Sequence, residues 1–375
     1  MKVYLDNAAT TRLDEQVFDA MLPYLKEEYG NPSSIHAFGR KTRSAIEVAR
    51  KTVSKLLNVS PAEIFFTSGG TEADNMAIHQ SIHSLGVRHA ITSRIEHHAV
   101  ETTLQELEKQ GKIKLSWVNV DAKGNVDLLH LEELLKTNER SLVSLMHANN
   151  EIGTLLPLEK AGEICAKYDA IFHSDTVQTM GHYPMDLQKI KVHFVTCAAH
   201  KFHGPKGVGF LYVNHKIKIQ PMIFGGAQER NMRGGTENTQ GIVGLAKALE
   251  ICYGEMDQHI AHIQGLKHYM KEQLEKTVPG IIFNGETDDD KSLYTVLNCC
   301  FPAHPDAEMM LFNLDIAGIM ASGGSACSSG SNQGSHVLRG IGADTSRASI
   351  RFSFCKYTTK EEIDYTIEKL KAMVA

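Results

Sequence analysis

No stretch of this 375-residue sequence is apolar for long enough to cross a membrane. Nor does charge of one sign dominate. The 39 Lys and Arg against 44 Asp and Glu leave a net −5, which argues against a general nucleic-acid or anionic-membrane binder. Cysteine is sparse. The seven present are an odd number at irregular positions and form no pair of CxxC motifs, which disfavours a disulfide framework or a zinc site and suits a reducing compartment. The 19 histidines include no HExxH and no His-rich tract, so no metal site is expected. Residues 1–6 run straight into a strand-like segment and a charge, unlike a signal peptide, and a cytoplasmic location is expected. Internal repeats and low-complexity tracts are absent from the sequence.

What remains is an ordinary soluble composition, 42% apolar and 22% charged, at a length that one core seldom serves, so two lobes are expected. A short strand at 3–5 leads to a helix capped by Asp14 and running to about 28, then a second helix ending near Asn58. Strands at 64–67, 90–93, 114–120, 142–147 and 170–174 then alternate with helices from 71, at 100–109, 128–136 and 158–168. Such alternation indicates crossover units and a mostly parallel sheet covered on both faces, with the chemistry beyond the strand ends. After Thr236 the pattern changes. A long helical stretch at 240–277 is broken near Gly254, and weaker strands follow at 281–283 and 295–300. A helix at 307–314, a strand at 348–354 and a closing amphipathic helix at 360–373 complete a second, α+β lobe from about residue 258. The N-terminal strand is expected to join it.

The chemistry concentrates around Thr196-Cys-Ala-Ala-His200-Lys201-Phe-His203-Gly204-Pro-Lys206-Gly207. An apolar run at 192–199 delivers Lys201 into a short loop, and a second apolar run at 208–213 follows. Partial desolvation lowers a lysine's pKa and frees its amine as a nucleophile; the plain alternative is a solvated loop lysine. Phe66-Thr67-Ser68-Gly69-Gly70-Thr71 reads as a strand, a glycine turn and a helix start, whose free N–H groups suit a phosphate. It carries neither a Walker lysine nor a dinucleotide fingerprint, and a simple capped turn explains it equally well. Asp175 ends a buried strand, where it either caps the next turn or faces a heterocyclic N–H. The order of phosphate turn, then acid, then lysine suits pyridoxal 5'-phosphate, which needs all three.

Further residues are weaker signals alone. His97 follows a strand and suits stacking on a flat ring or proton transfer. Asn149 and Asn150 sit at another strand end, where turns also favour asparagine. Cys327 lies in the small-residue segment Ala321-Ser-Gly-Gly-Ser-Ala-Cys-Ser-Ser-Gly-Ser331. Nothing there could bury it, so it reads as an accessible nucleophile, while Cys165, Cys197, Cys252 and Cys299 read as inert core thiols. Arg351 alternates with Ile350 and Phe352 and suits a carboxylate, or an ordinary surface ion pair.

Together these motifs resemble the cysteine desulfurases of the NifS/IscS type, in the class-V aminotransferase branch of fold type I pyridoxal-phosphate enzymes. The resemblance runs from Tyr4-Leu-Asp-Asn-Ala-Ala-Thr-Thr11 through Gly30-Asn-Pro-Ser-Ser34, Thr71, Glu96-His97, Asn149-Asn150-Glu151, Asp175, Gln178 and His200-Lys201. It continues through Arg233-Gly-Gly-Thr236 and Ser325-Ala-Cys327 to Arg351-Phe-Ser353. It implies a large cofactor-binding domain at 14–257 with a mostly parallel seven-stranded sheet. Residues 1–13 and 258–375 then form a smaller α+β domain carrying the cysteine loop.

The resemblance also implies roles. Lys201 holds pyridoxal 5'-phosphate and moves the Cα proton. Asp175 pairs with the pyridine nitrogen, His97 stacks on the ring, and Gln178 and Asn150 bond near its phenolic oxygen. Gly70, Thr71 and His200 hold the phosphate. Thr236 reaches the phosphate of a neighbouring subunit, which implies a homodimer. Asn7, Asn150 and Arg351 bind L-cysteine. Cys327 takes its sulfur as a persulfide, releasing L-alanine, and passes it to a sulfur acceptor protein. The rival readings are another class-V aminotransferase or lyase, selenocysteine lyase included, and a catalytically retired sulfur-relay subunit.

Three departures stand out. The family's serine two positions before the His-Lys pair is Ala198, for which Ser174, Thr196 or water could substitute. The family's Ser-Ser-Gly-Ser-Ala-Cys is Ser322-Gly-Gly-Ser-Ala-Cys327. Housekeeping members carry a scaffold-docking tail beyond the last helix, whereas this sequence ends at Ala375. Delivery to an iron-sulfur scaffold, to tRNA thiolation or to another acceptor stays open on that ground.

Overall fold

The structure, a computed structural model, describes residues 1–305, 307–323 and 334–374. After β1 (Val3–Tyr4), Asp14 caps α1 (Glu15–Lys26) by accepting from the Gln16 N–H at 2.8 Å. α2 (Ala37–Leu56) then leads into the alternating region. That region comprises β2 (Ile64–Thr67), α3 (Gly70–His83), β3 (His89–Thr92), α4 (His98–Lys109), β4 (Lys114–Trp117), α5 (Leu128–Thr137), β5 (Ser141–Ser144) and α6 (Leu158–Lys167). It closes with β6 (Ile171–Asp175), β7 (Phe194–Ala198) and β8 (Gly209–Val213).

These strands form one seven-stranded sheet in the order β2-β8-β7-β6-β5-β3-β4. Only β8 runs against its neighbours. The link from β7 to β8 is too short to carry the chain back over the sheet, so the pair must be antiparallel. One face packs on α1, α2, α6 and α7 (Thr239–Gly254) through residues such as Val17, Ile46, Val143, Phe172 and Leu249. The other packs on α3 and α4 through Met76, Ile78, Val100, Leu142 and Phe194. Each side chain buried this way contributes about 1.5–3 kcal/mol.

The remaining elements are α8 (Met256–Thr277), β9 (Ile282–Asn284), β10 (Val296–Cys300), α9 (Met310–Ile316), β11 (Ile319–Met320), α10 (His336–Gly340), β12 (Ser349–Ser353) and α11 (Lys360–Val374). They build an antiparallel sheet, β12-β10-β9, and a parallel pair, β1-β11. A separate core of Leu5, Met270, Leu297, Leu314, Phe352 and Leu370 joins them. The N-terminal strand packs with the chain's C-terminal third through the β1–β11 pair and this core. The helical stretch at 240–277 breaks at Glu255, one residue beyond the glycine expected to break it.

Candidate active site

The carboxyl ends of β2, β5, β6 and β7 face a cavity of about 220 Å³. Gly70, Thr71, His97, Asn150, Asp175, Gln178, His200, Lys201 and Arg351 line it together. These are nine of the residues singled out in the sequence. Asn7 is adjacent and buried but does not line the cavity. Thr236 is exposed and belongs to a different surface pocket, with Phe66, Ser68 and Arg233. Cys327 lies outside the described residues. All six described cysteines are buried. Burial pushes Cys165 and Cys252 up to about 12 and raises Cys197, Cys299 and Cys355.

At the end of β2, Gly69 adopts φ +154° and α3 begins without a side-chain cap. The first N–H groups of a helix need acceptors, so this uncapped start suits a phosphate. Glycine at 70 keeps the approach open, because a Cβ there would come within 2.9 Å of Val177 Cγ2. Ala198 also lines the cavity. Neither Ser174 nor Thr196 lines it as a substitute. Thr196 pairs with His173 at 3.0 Å, and the Ser174 hydroxyl is buried without a partner.

Asp175 ends β6 and accepts from the Val177 N–H at 2.9 Å. Burial, then the neighbouring Asp74, raises its pKa to about 7. Asp74, in the second turn of α3, is 1% exposed and raised by burial to about 7 as well. One of its oxygens stands 3.4 Å from His173 Nε2 without a hydrogen bond. His173 in turn meets the Ser144 hydroxyl at 2.8 Å, and burial lowers it to about 4. Two adjacent carboxyls resist double ionisation, so this floor attracts a cationic ring nitrogen. Sequence reasoning passed over Asp74. The available signal was its position three residues after Thr71, on the same face of α3.

His97 precedes α4 and caps it, its Nδ1 accepting from the Ala99 N–H at 3.1 Å. Burial, then Lys201, lowers it to about 4, so the ring is neutral near pH 7. Behind it, buried Glu96 accepts from the Ser93 hydroxyl and the Met146 N–H, and burial raises it to about 8. His200 Nδ1 meets the Thr10 hydroxyl at 3.2 Å and is likewise held near 4, by burial first.

Lys201 follows β7 in a 3-10 turn and donates to the Ala8 and Ala9 carbonyls at 2.5 and 2.9 Å. Gln178 donates to Ala8 as well, at 3.1 Å. Arg351 on β12 is 1% exposed. Its Nη1 donates to the Asn150 carbonyl at 2.9 Å, its Nη2 to Asp6 at 2.6 Å, and its Nε is buried without a partner. Asn7 donates to the Ser353 carbonyl at 2.8 Å, which fixes its amide and leaves Oδ1 buried and unpartnered. The segment 6–9 thus threads through the site, a role that two alanine carbonyls could not signal in sequence.

The Aminotransferase class-V family matches residues 3–366. The chain is 45% identical to a cysteine desulfurase IscS of Dictyoglomus turgidum, over all of this chain and 94% of that one. A solved NifS-like protein superposes with a TM-score of 0.91 at 38% identity, covering 100% of this chain and 99% of its own. A structure described as SspA in complex with cysteine superposes at 0.83 with 30% identity, covering 96% and 100%. The chain belongs to the class-V aminotransferases and, within them, to the cysteine desulfurases of the NifS and IscS type.

Proposed function

We propose that this protein removes sulfur from L-cysteine with pyridoxal 5'-phosphate, leaving L-alanine and a persulfide on Cys327. The observation that carries the reading is the convergence in one cavity of an uncapped helix start, a buried acid, a neutral imidazole, a lysine and an arginine. These groups fit the cofactor. The start of α3 with Gly70, Thr71 and His200 suits its phosphate. Asp175 suits its ring nitrogen, His97 its face, and Gln178 and Asn150 its phenolic oxygen. When bound, the cofactor supplies an electron sink next to the substrate Cα.

The chain's own groups do the rest. Arg351, which lines the cavity with a spare buried Nε–H, offers a donor to the carboxylate of an amino acid, and Asn7, buried next to the cavity-lining Ala8, is the further proposed substrate residue. Lys201 moves the proton at Cα. The Cys327 thiolate attacks the substrate sulfur. The S–S bond forms as the C–S bond breaks, and the electron pair stays on carbon, which takes a proton to become the methyl of L-alanine. Burial raises the pKa values of Cys165, Cys197, Cys252 and Cys299 and removes these thiols as rivals for this role.

The same reading makes the protein a cytoplasmic homodimer that hands sulfur to an acceptor protein, a cluster scaffold or a tRNA-thiolating enzyme. No helix among the described residues is long and apolar enough to cross a membrane. Tyr29, Ile35 and Phe224 are 77, 91 and 82% exposed, apolar surface that a second copy of the chain could cover. Thr236, exposed and outside its own chain's cavity, then serves the partner's phosphate. The domain division is residues 14–257 against 1–13 with 258–375.

The test compares the parent with Cys327→Ala, both loaded with cofactor and given L-cysteine. Alanine, together with sulfide released by reductant, is expected from the parent alone. Visible cofactor absorbance with no alanine from the parent would overturn the assignment.

A further inference from the structure

The arginine at the back of the cavity is already held by an acid that no role above uses. Asp6 Oδ1 accepts from Arg351 Nη2 at 2.6 Å and from the Ser322 hydroxyl at 2.8 Å. These three residues meet where strands join. Asp6 bridges to Ser353 beside Arg351, and Ser322 pairs with Arg351 through both backbone bonds. On the other side the Asn150 carbonyl fixes Nη1 at 2.9 Å. The guanidinium is thus pinned at both terminal nitrogens. Only one Asp6 oxygen is spent on it, and Nε–H with the second hydrogens of Nη1 and Nη2 is left over.

A buried guanidinium without a counter-ion is costly, and a free one would lose rotamer freedom on binding. A single fixed acid removes both costs while sparing part of the planar fork that recognises carboxylates. We infer that Asp6 is a positioning residue that presets Arg351 for the α-carboxylate of the amino-acid substrate, with Ser322 holding Asp6 in place. The inference rests on the proposed carboxylate role of Arg351. It makes selection for amino acids over simple amines depend on a residue at the far end of the chain.

The test uses the cofactor-loaded protein and two inhibitors of L-cysteine turnover. L-Alanine carries the carboxylate and ethylamine is the same amine without it. Asp6→Ala is expected to raise the KM for L-cysteine and the Ki for L-alanine about tenfold, the scale of a lost hydrogen bond to a charged group. Asp6→Asn, which keeps shape and one acceptor, should raise both about threefold. The Ki for ethylamine and kcat should stay near parental values in both. Equal shifts for the two inhibitors, no shift in Asp6→Asn, or tighter L-alanine binding would each overturn the inference; tighter binding would mean that Asp6 competes with the substrate.

Arg351→Gln runs in parallel. If it leaves the preference for L-alanine over ethylamine intact, the carboxylate role of Arg351 fails, and the inference with it. If it abolishes the preference while Asp6→Asn does not alter it, the inference alone fails. Asp6→Ala should also have no further effect on L-alanine binding in the Arg351→Gln background, since coupled residues are not additive.

Discussion

At His97 one ring nitrogen is already committed. Nδ1 accepts from the Ala99 N–H at 3.1 Å, so the proton sits on Nε2, and the residue both caps α4 and faces the cavity. These two jobs separate chemically, because asparagine is as good a cap as any side chain while lacking the flat ring. His97→Asn should keep the parent's melting temperature, whereas His97→Ala should lose about 1 kcal/mol. Both should lose tenfold or more in sulfide production. Full activity in His97→Asn would remove the ring from the chemistry. The pH dependence has a definite sign. The folded pKa is held near 4, below the ordinary 6.5. The unfolded chain therefore takes up the proton first, and the stabilisation is complete above about 6.5 and lost as the pH falls towards 4. The single-residue features that were legible in sequence were those at strand ends, such as Asp175 and Lys201. Asp74 was not, because an acid on a helix reads as an ordinary solvated charge; only the packing of α3 against β6 and β7 buries it beside Asp175.

At the scale of elements, the alternation of strands and helices was readable because each apolar run is bounded by a turn and followed by an amphipathic stretch. The ends of strands were not: β4 and β5 stop at Trp117 and Ser144, short of the expected 120 and 147. Apolar residues beyond the ladder stay buried in loops that shape the site, as Leu145 and Met146 do, so hydropathy overruns the hydrogen bonding. β11 and α10, of two and five residues, are too short to show a period at all. The element that matters most to the chemistry is α3, whose uncapped first turn opens on the cavity. Gly70→Ala tests it without changing charge. The new Cβ would lie 2.9 Å from Val177 Cγ2 and crowd the phosphate's approach, while alanine favours the helix itself. The expected outcome is cofactor affinity reduced about tenfold, the scale of one weakened charge-assisted hydrogen bond, with a lower melting temperature as Val177 gives way. Absorbance titration with pyridoxal 5'-phosphate measures it, and unaltered affinity would place the phosphate elsewhere.

For the whole molecule, the question is whether one chain contains one complete site. Eleven of the residues singled out surround or adjoin the cavity or lie beyond the described residues, and Thr236 alone stands in a different pocket. Only the family resemblance assigned it to a neighbouring subunit; no pattern within a single chain marks a residue for such a role. Its segment is nevertheless braced rather than loose. Arg233 grips Glu72 on α3 through Nε at 2.8 Å and Nη2 at 3.1 Å. Glu229 in the preceding turn is buried against Arg50, with both bonds at 2.8 Å. That turn carries positive φ at Glu229, Arg230 and Asn231, a strain the ion pair helps to hold. A segment fixed this firmly on α3, with its threonine facing outward, suits presentation to a partner. Complementation decides it. Lys201→Ala is expected to be inactive, and a bulky Thr236→Trp change is expected to block cofactor binding in the neighbouring site. Co-expressed, the two form mixed dimers in which one site has both its own Lys201 and the partner's intact Thr236. Random pairing makes about half of all dimers mixed, each with one working site of two, so about a quarter of parental activity should return. Failure of any activity to return, with mixed dimers isolated by two affinity tags, would mean that Thr236 acts within its own chain.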